Sequence, residues 1–406
     1  MGVIITMVII KRKEADFINK TEKWVFLYGR RKTGKTFLVK NFVKFDDYYF
    51  VKRDRTILSS KEISYETLIE LLKVNLKDNK IIVIDEFHRL GENFLDFLHS
   101  ISGSGKIILL SSTLYLSKQL LSTKSPLLGL AAEIPLELID LNLCLNEMHK
   151  FGFKGKDALE LALFCTEPIV LGYIEKTANA KKIIINALMA SKNTIPALIG
   201  EIFIEEERQI SNVYEGILRA ISIGKNKAGE IANYLFSKKL IQKENSTMIQ
   251  QYFKNLINFG ILKRVFIFNR GEYRYDLISP LMKFYFYADE KYNFIEEATR
   301  EKADLILKEF TPRLIESGIR KLFADKFGLR ESIVESSDYN IDGVLLKFKK
   351  PEIALEIKWK KLKNEDIKRA EETLSKIQAK RKILFVQDKT NVKSSLEVMD
   401  INDLIE

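Results

Sequence analysis

Residues 29–36 read Gly-Arg-Arg-Lys-Thr-Gly-Lys-Thr, a complete G-x-x-x-x-G-K-T pattern. The chemistry such a loop offers is a grip on a triphosphate. Gly29 and Gly34 let the backbone curl, so that the N–H groups of Arg30, Arg31, Lys32 and Thr33 turn inward at phosphate oxygens. Lys35 is expected to reach the β- and γ-phosphates, and the Thr36 hydroxyl to bind Mg²⁺. An accidental glycine-rich turn is the bland alternative, and the flanking sequence argues against it. Trp24–Tyr28 is an apolar run of strand formers, and Phe37-Leu38-Val39 opens a helical pattern. Strand, loop and helix in that order are the setting the motif requires.

A second apolar run, Lys80–Ile84, ends in Asp85-Glu86, about 50 residues beyond Lys35. Continuous apolar residues closed by two acids describe a buried parallel strand whose carboxyl end faces a ligand crevice. Asp85 is expected to hold Mg²⁺ and to belong to the nucleotide site, and Glu86 to polarise the attacking water as a general base. His88, just beyond, reads as an exposed turn residue. A third run, Lys106–Leu110, leads into Ser111-Ser112-Thr113. Ser112 could sense the γ-phosphate; hydroxyls there would equally cap a following helix.

Another group of reactive side chains lies near the C-terminus. Residues 341–359 form a two-strand pattern around Lys349-Lys350-Pro351. Along the second strand Ala354, Glu356 and Lys358 share a face, and Leu355 and Ile357 take the other. A turn at 349–350 sets Asp342 opposite residue 357, beside Glu356 and Lys358. Asp342 and Glu356 could then hold a divalent metal and position a water for phosphodiester hydrolysis, with Lys358 adjacent. The alternative is a solvent-facing strand with ordinary surface ion pairs. An upstream helix bearing Glu316, a helix over about 364–379 and a strand at 383–386 accompany the group. Between 343 and 382 there are 13 Lys/Arg against 6 Asp/Glu, an excess suited to polyanions.

Elements must position these groups. Strands alternating with helical stretches at 61–76 and 92–101 predict a doubly wound parallel α/β domain of the P-loop NTPase kind. From 141 to 205 the strand signal stops and apolar residues recur three or four apart, as in a helical lid. Two further helices then lead to a third near Ser246, whose apolar face is Ile249, Phe253, Leu256 and Ile257. Thr247, Gln250, Gln251, Lys254 and Asn255 are left outward, a set able to meet phosphates and base edges. Gly260 closes that helix, and two strands with a turn at Asn269-Arg270-Gly271 would form a wing bearing Lys263, Arg264, Arg270 and Arg274. Three helices and a hairpin spell a winged helix, a module that serves nucleic acid, protein or intramolecular contacts.

The expected division is a P-loop ATPase core at 1–140, a helical lid at 141–205, a winged-helix domain at 206–290 and a nuclease-like domain at 291–406. The chain has 406 residues, 46% hydrophobic and 30% charged, as expected of a protein that folds throughout. A net charge of +11 suits an anionic partner, although a solvated basic surface would produce it too. Two cysteines, Cys144 and Cys165, build neither a disulfide framework nor a metal cluster and suit a reducing cytoplasm. The opening MGVIITMVII is too short to span a bilayer, and its charges follow it, so neither a membrane span nor a signal peptide is expected.

In this order the pieces resemble archaeal AAA-type ATPases, usually placed with the STAND or AAA-related NTPases, that carry a C-terminal PD-(D/E)XK nuclease-like domain. The likeness rests on GRRKTGKT, IIVIDEF, ILLSST followed by SPLLG, the segment Tyr275–Leu281, and Asp342 with Glu356-Ile357-Lys358. It implies a C-terminal α/β domain of the restriction-endonuclease kind. It also implies ATP and Mg²⁺ at Lys35, Thr36, Asp85 and Glu86, and a nuclease-type triad at Asp342, Glu356 and Lys358. Leu130 stands where the family tends to have Arg, which implies slow hydrolysis or a switch-like cycle unless Arg208 or Arg219 substitutes. Glu167 stands before Pro168 where the family tends to have Gly. The leading expectation is an ATPase acting on double-stranded DNA through the winged helix and the basic C-terminal domain. The alternative is an ATP-dependent regulatory switch that recruits a partner without nuclease chemistry. Self-association stays open.

Overall fold

Trp24–Tyr28 is buried at every position, because a central parallel strand is covered on both faces. In the computed structural model, which describes residues 8–101, 105–114, 129–175, 178–206, 211–243 and 246–405, this strand anchors the first sheet. The chain begins with α1 (Lys13–Lys20), β1 (Trp24–Tyr28), the phosphate loop and α2 (Lys35–Phe42). β2 (Asp47–Val51), β3 (Ile57–Leu58), β4 (Glu62–Ile63), α3 (Tyr65–Lys77) and β5 (Ile81–Asp85) follow. A 3-10 turn at Phe87–Leu90, α4 (Glu92–Ser100), β6 (Lys106–Ser111) and β7 (Ala131–Pro135) complete the unit.

The sheet runs β4-β3-β2-β5-β6-β1-β7. It is parallel from β2 to β7, with β3 and β4 antiparallel at one edge. Successive residues of each strand point to opposite faces. Val25 and Leu27 therefore pack against Ala15 and Ile18 of α1 and Leu38 and Val39 of α2. Phe26, Ile82, Ile84 and Leu109 pack against Leu68, Leu72, Phe94 and Leu98 of α3 and α4. Helices on both faces of a mostly parallel sheet make this an α/β unit.

After β7 the chain is helical: α5 (Leu141–Lys150), α6 (Gly155–Cys165), α7 (Pro168–Leu171), α8 (Ala180–Ser191) and α9 (Thr194–Glu205). Every residue from Leu161 to Cys165 is buried, so α6 is enclosed rather than laid on a surface. Among the described residues no single helix is long and apolar enough to cross a membrane; α8 and α9 pass only jointly, bent by 57°. α10 (Asn212–Ser222), α11 (Ala228–Ser237), α12 (Gln250–Asn258), β8 (Leu262–Ile267), β9 (Glu272–Leu277) and α13 (Pro280–Tyr292) come next. A break between residues 290 and 291 would cut α13.

The last part contains α14 (Arg300–Phe327), β10 (Ser332–Glu335), β11 (Asn340–Ile341), β12 (Gly343–Lys347), β13 (Lys350–Lys358), α15 (Asn364–Ser375), β14 (Arg381–Val386) and β15 (Glu397–Met399). One sheet is ordered β12-β13-β14-β15, antiparallel at the first pair and parallel afterwards. The other is ordered β11-β10-β8-β9, so the expected wing and the C-terminal part share a sheet, with β10 parallel to β8. The turn between β12 and β13 is Phe348-Lys349, not the expected Lys349-Lys350-Pro351, since Lys347 already pairs with Lys350. A register shift between Leu345 and Leu346 then brings Gly343 opposite Leu355. Carried one residue further, Asp342 comes opposite Glu356, within one residue of the expected position.

Candidate nucleotide and carboxylate sites

The phosphate loop needs its glycines for two different reasons. A Cβ on Gly29 would sit 2.2 Å from the Leu136 carbonyl oxygen, whereas Gly34 has φ 91°, a left-handed backbone. Lys35 folds back and donates to the carbonyls of Gly29 at 2.7 Å and Arg30 at 2.9 Å. Burial pulls its pKa down to about 8, against the opposing pull of Glu86 and Asp85. Thr36 donates to Asp85 Oδ2 at 2.7 Å, and Tyr48 donates to the same oxygen at 2.6 Å. Asp85 Oδ1 is buried and has no hydrogen-bond partner among the described residues. A carboxylate oxygen left bare beside a threonine hydroxyl fits a magnesium ion carried in with a nucleotide.

Glu86 adopts φ 60° and ψ 35°, an uncommon conformation for a non-glycine residue, and that turns its side chain across the end of β6. Its Oε2 accepts from the Ser112 hydroxyl at 2.8 Å and lies 3.7 Å from Arg89. Ser112 therefore holds Glu86. His88 is not the exposed turn residue expected: its side chain is 9% exposed, and Nδ1 meets the Ser111 hydroxyl at 3.1 Å. The last hydroxyl of the buried strand captures the ring. A pocket of about 410 Å³ opens here between Lys35, Thr36, Glu86, Ser112, Arg53 and Arg89.

Nothing in the sequence marks Tyr48 and Arg53, on β2 and the loop after it, or Arg89, in the turn after β5, because none belongs to a motif. Of the two arginines considered as substitutes, Arg219 is committed to Asp289 at 2.7 Å and Glu215 at 2.8 Å. Arg208 lies outside the described residues, as does the SPLL stretch before Gly129. The helical segment grips the loop through two contacts. Arg30 and Glu167, both buried, pair at 2.5 Å, and Arg31 meets Glu201 of α9 at 2.6 Å. The carboxylate at 167 thus compensates a buried guanidinium that the loop itself introduces.

The second site sits where β12 begins and β13 ends. Asp342 Oδ2 accepts the Ile357 N–H at 2.8 Å, and Lys358 donates to Glu356 Oε1 at 2.5 Å. Glu356 is buried, and its Oε2 has no hydrogen-bond partner among the described residues. Burial, followed by the charge of Asp342, pushes its pKa up to about 7 against the pull of Lys358. Glu316 on α14 is raised as well, by burial first and Asp342 second. Arg320, one turn further along α14, donates to Glu331 at 2.7 Å and to the Asp342 carbonyl at 2.8 Å. Among the described residues no three His, Cys, Asp or Glu side chains stand close enough to hold an ion alone. What fits a divalent cation is the facing pair Asp342 and Glu356 with its bare oxygen.

Next to this group, Trp359 donates to Glu160 of α6. On α12, Thr247 just before it and Gln250, Gln251 and Lys254 are exposed, but Asn255 turns inward and donates to the Tyr214 hydroxyl at 2.5 Å. Of the basic residues expected on the β8–β9 hairpin, Arg264 and Arg270 are exposed, whereas Lys263 and Arg274 are half-buried. Lys263 pairs with Glu331, Arg270 donates to the Glu335 carbonyl, Arg274 meets the Glu335 carboxylate, and Arg264 lies over the Tyr273 ring. The shared sheet brings those acids alongside.

Residues 21–136 match a family model described as an AAA domain. An uncharacterized protein of Methanocaldococcus jannaschii is 26% identical over 389 residues, covering 86% of this chain and 85% of that one. Among solved structures, ORC2 of Aeropyrum pernix in its ADPNP–ADP complexes covers 72% of this chain and 95% of its own, at 11% identity and TM-score 0.39. ORC1 of the same organism in complex with DNA covers 73% and 96%, at 13% identity and TM-score 0.31. Likenesses that weak carry no argument about function. From β1 to the end of β7, the chain is similar to AAA domains.

Proposed function

We propose that the chain is an ATP-dependent protein acting on DNA, in which an AAA-type ATPase core and helical lid are joined to a winged-helix module and a metal-dependent nuclease-like domain. The reading rests above all on Glu356, buried opposite Asp342 and beside Lys358 with one oxygen bare. A strand that merely faced solvent would leave no such atom. The order α10, α11, α12, β8, β9 supports the winged helix. Two buried free thiols, Cys144 and Cys165, are consistent with a cytoplasmic setting.

At the first site, Lys35 leaves the Gly29 and Arg30 carbonyls to meet phosphate oxygens, while the loop amides hold the rest of the anion. Thr36 and Asp85 would hold magnesium, which supplies positive charge at the β- and γ-oxygens. Glu86, aimed by Ser112, takes the proton of the attacking water. At the second site, Asp342 and Glu356 would hold a divalent cation, which supplies Lewis acidity at a phosphodiester. Lys358 keeps its charge between the two carboxylates and is placed to steady a negative transition state.

The regulatory-switch alternative has one observation in its favour: two of the hairpin's cations, Lys263 and Arg274, are paired to Glu331 and Glu335 instead of facing a partner. ATPase and nuclease assays on one preparation decide between them. Lys35→Ala should abolish ATP turnover, and Glu356→Ala should abolish metal-dependent nicking while sparing it. Wild-type protein that turns over ATP but never nicks DNA with Mg²⁺ or Mn²⁺ would leave the switch.

A further inference from the structure

Phe348 is 90% exposed, while no other large apolar side chain among the described residues exceeds 66%. It occupies the first position of the two-residue turn between Lys347 and Lys350, at φ 57°. Glycine is the residue this backbone favours. A bulky ring therefore stands in a left-handed conformation and buries almost nothing in return. Folding does not account for it.

Its surroundings are cationic. Lys347, Lys349 and Lys350 flank it in sequence, and Lys376 and Lys382 line the same open groove, about 990 Å³, that reaches Asn269 at the tip of the β8–β9 hairpin. Among the described residues Lys347, Lys349, Lys350 and Lys382 have no carboxylate partner, whereas Lys380 is held by Glu352 at 2.9 Å. This contrasts with Lys263 and Arg274 of the β8–β9 hairpin, which are paired to Glu331 and Glu335. Four lysines around one exposed ring are thus left available to an outside anion.

We propose that this hairpin tip is a binding surface for unpaired nucleic-acid strands, with Phe348 stacking a base and the surrounding lysines holding the phosphates. The inference rests on the DNA-acting reading and names the strand form it engages. Lysines alone would serve a duplex, but a duplex keeps its base faces stacked and offers nothing to an exposed ring. An unpaired strand offers both a π-face and closely spaced phosphates. The tip lies roughly 20 Å along β13 from Glu356, so changing it leaves both candidate catalytic sites intact.

The test is fluorescence anisotropy on the full chain at low salt, with a labelled mixed-sequence single strand and the matching duplex. Phe348→Gly relieves the turn, so it should melt no lower than wild type and keep its ATPase rate. It should bind the single strand about 5- to 100-fold more weakly, with duplex binding changed by less than about twofold. Replacing Lys347 and Lys349 with Ala should flatten the salt dependence of single-strand binding. Equal single-strand affinity for Phe348→Gly and wild type overturns the inference, as does an equal loss on strand and duplex. Loss confined to vesicles containing phosphatidylserine overturns it in favour of a membrane surface. Wild type that binds neither strand nor duplex overturns the DNA-acting reading with it.

Discussion

Trp359 donates its indole N–H to Glu160 across 2.9 Å, joining the residue after Lys358 to the middle of α6. Shortly beyond the end of the same helix, Glu167 grips Arg30 of the phosphate loop at 2.5 Å. Gly318 of α14 lets Leu163 of α6 approach so closely that a Cβ there would stand 2.3 Å from it. One enclosed helix and the residues just after it thus meet the loop, the residue following the strand that bears Lys358, and the helix bearing Glu316.

Nucleotide binding should therefore be visible at Trp359. The chain has two tryptophans, Trp24 and Trp359, so a Trp24→Phe protein reports from Trp359 alone. Its emission is expected to shift on addition of Mg·ATP, and Glu160→Ala should abolish the response without abolishing binding measured by calorimetry. Binding with no change in emission would show that α6 does not respond.

Breaking the Arg30–Glu167 pair from one side strands a charge in a dry site. Arg30→Met or Glu167→Leu alone is expected to lower stability by about 3–5 kcal/mol, while the double replacement should recover most of the loss. Urea titration of all four proteins measures it. Equal midpoints throughout would mean that water reaches the pair.

At the nucleotide site the variants should separate binding from turnover. Asp85→Asn is expected to remove the magnesium dependence of ATP affinity. Glu86→Gln should bind ATP normally and hydrolyse it about 10²- to 10⁴-fold more slowly. Ser112→Ala should slow hydrolysis by a smaller factor by releasing Glu86, and Tyr48→Phe should weaken Mg·ATP more than ATP alone. Single-turnover kinetics and calorimetry check the set.

The raised pKa of Glu356 has a thermodynamic sign. A carboxyl at about 7 when folded and near its ordinary value of 4.5 when unfolded binds more protons in the folded state between those limits. Its contribution is therefore fully present below the unfolded value and is lost as pH rises through the folded one. Metal-free protein should melt higher at pH 5.5 than at pH 8. Glu356→Gln should flatten that slope, and Mg²⁺ or Mn²⁺ should raise the melting temperature at pH 8 in wild type only. Identical pH profiles for wild type and the variant would reject the assignment.

The motif-bearing parts were legible because backbone chemistry dictates them: β1, the glycines of the loop, Asp85 closing β5 and the alternation along β13 all follow from local pattern. What escaped depends on distant pairing. β2 carries no motif, and it is its parallel pairing with β5, from Asp47 to Phe50, that completes it as a strand. The hairpin register moved because Lys349-Lys350-Pro351 looks like a turn, whereas the chain turns one residue earlier and corrects with a shift at Leu345. His88 and Asn255 were read as outward because neither Ser111 nor Tyr214 is near in sequence. The inward commitment of Lys263 and Arg274 required knowing that β10 would lie beside β8.

That pairing bears on how such a protein can be inherited. β8 and β10 lie 66 residues apart in their register, Phe266 against Ser332 and Ile267 against Ile333, yet they complete one another's hydrogen bonds. A gene fragment encoding either partner without the other would yield a bare strand edge prone to sticking to itself. A recombinant that exchanges the C-terminal portion must carry the hairpin with it to keep that sheet whole.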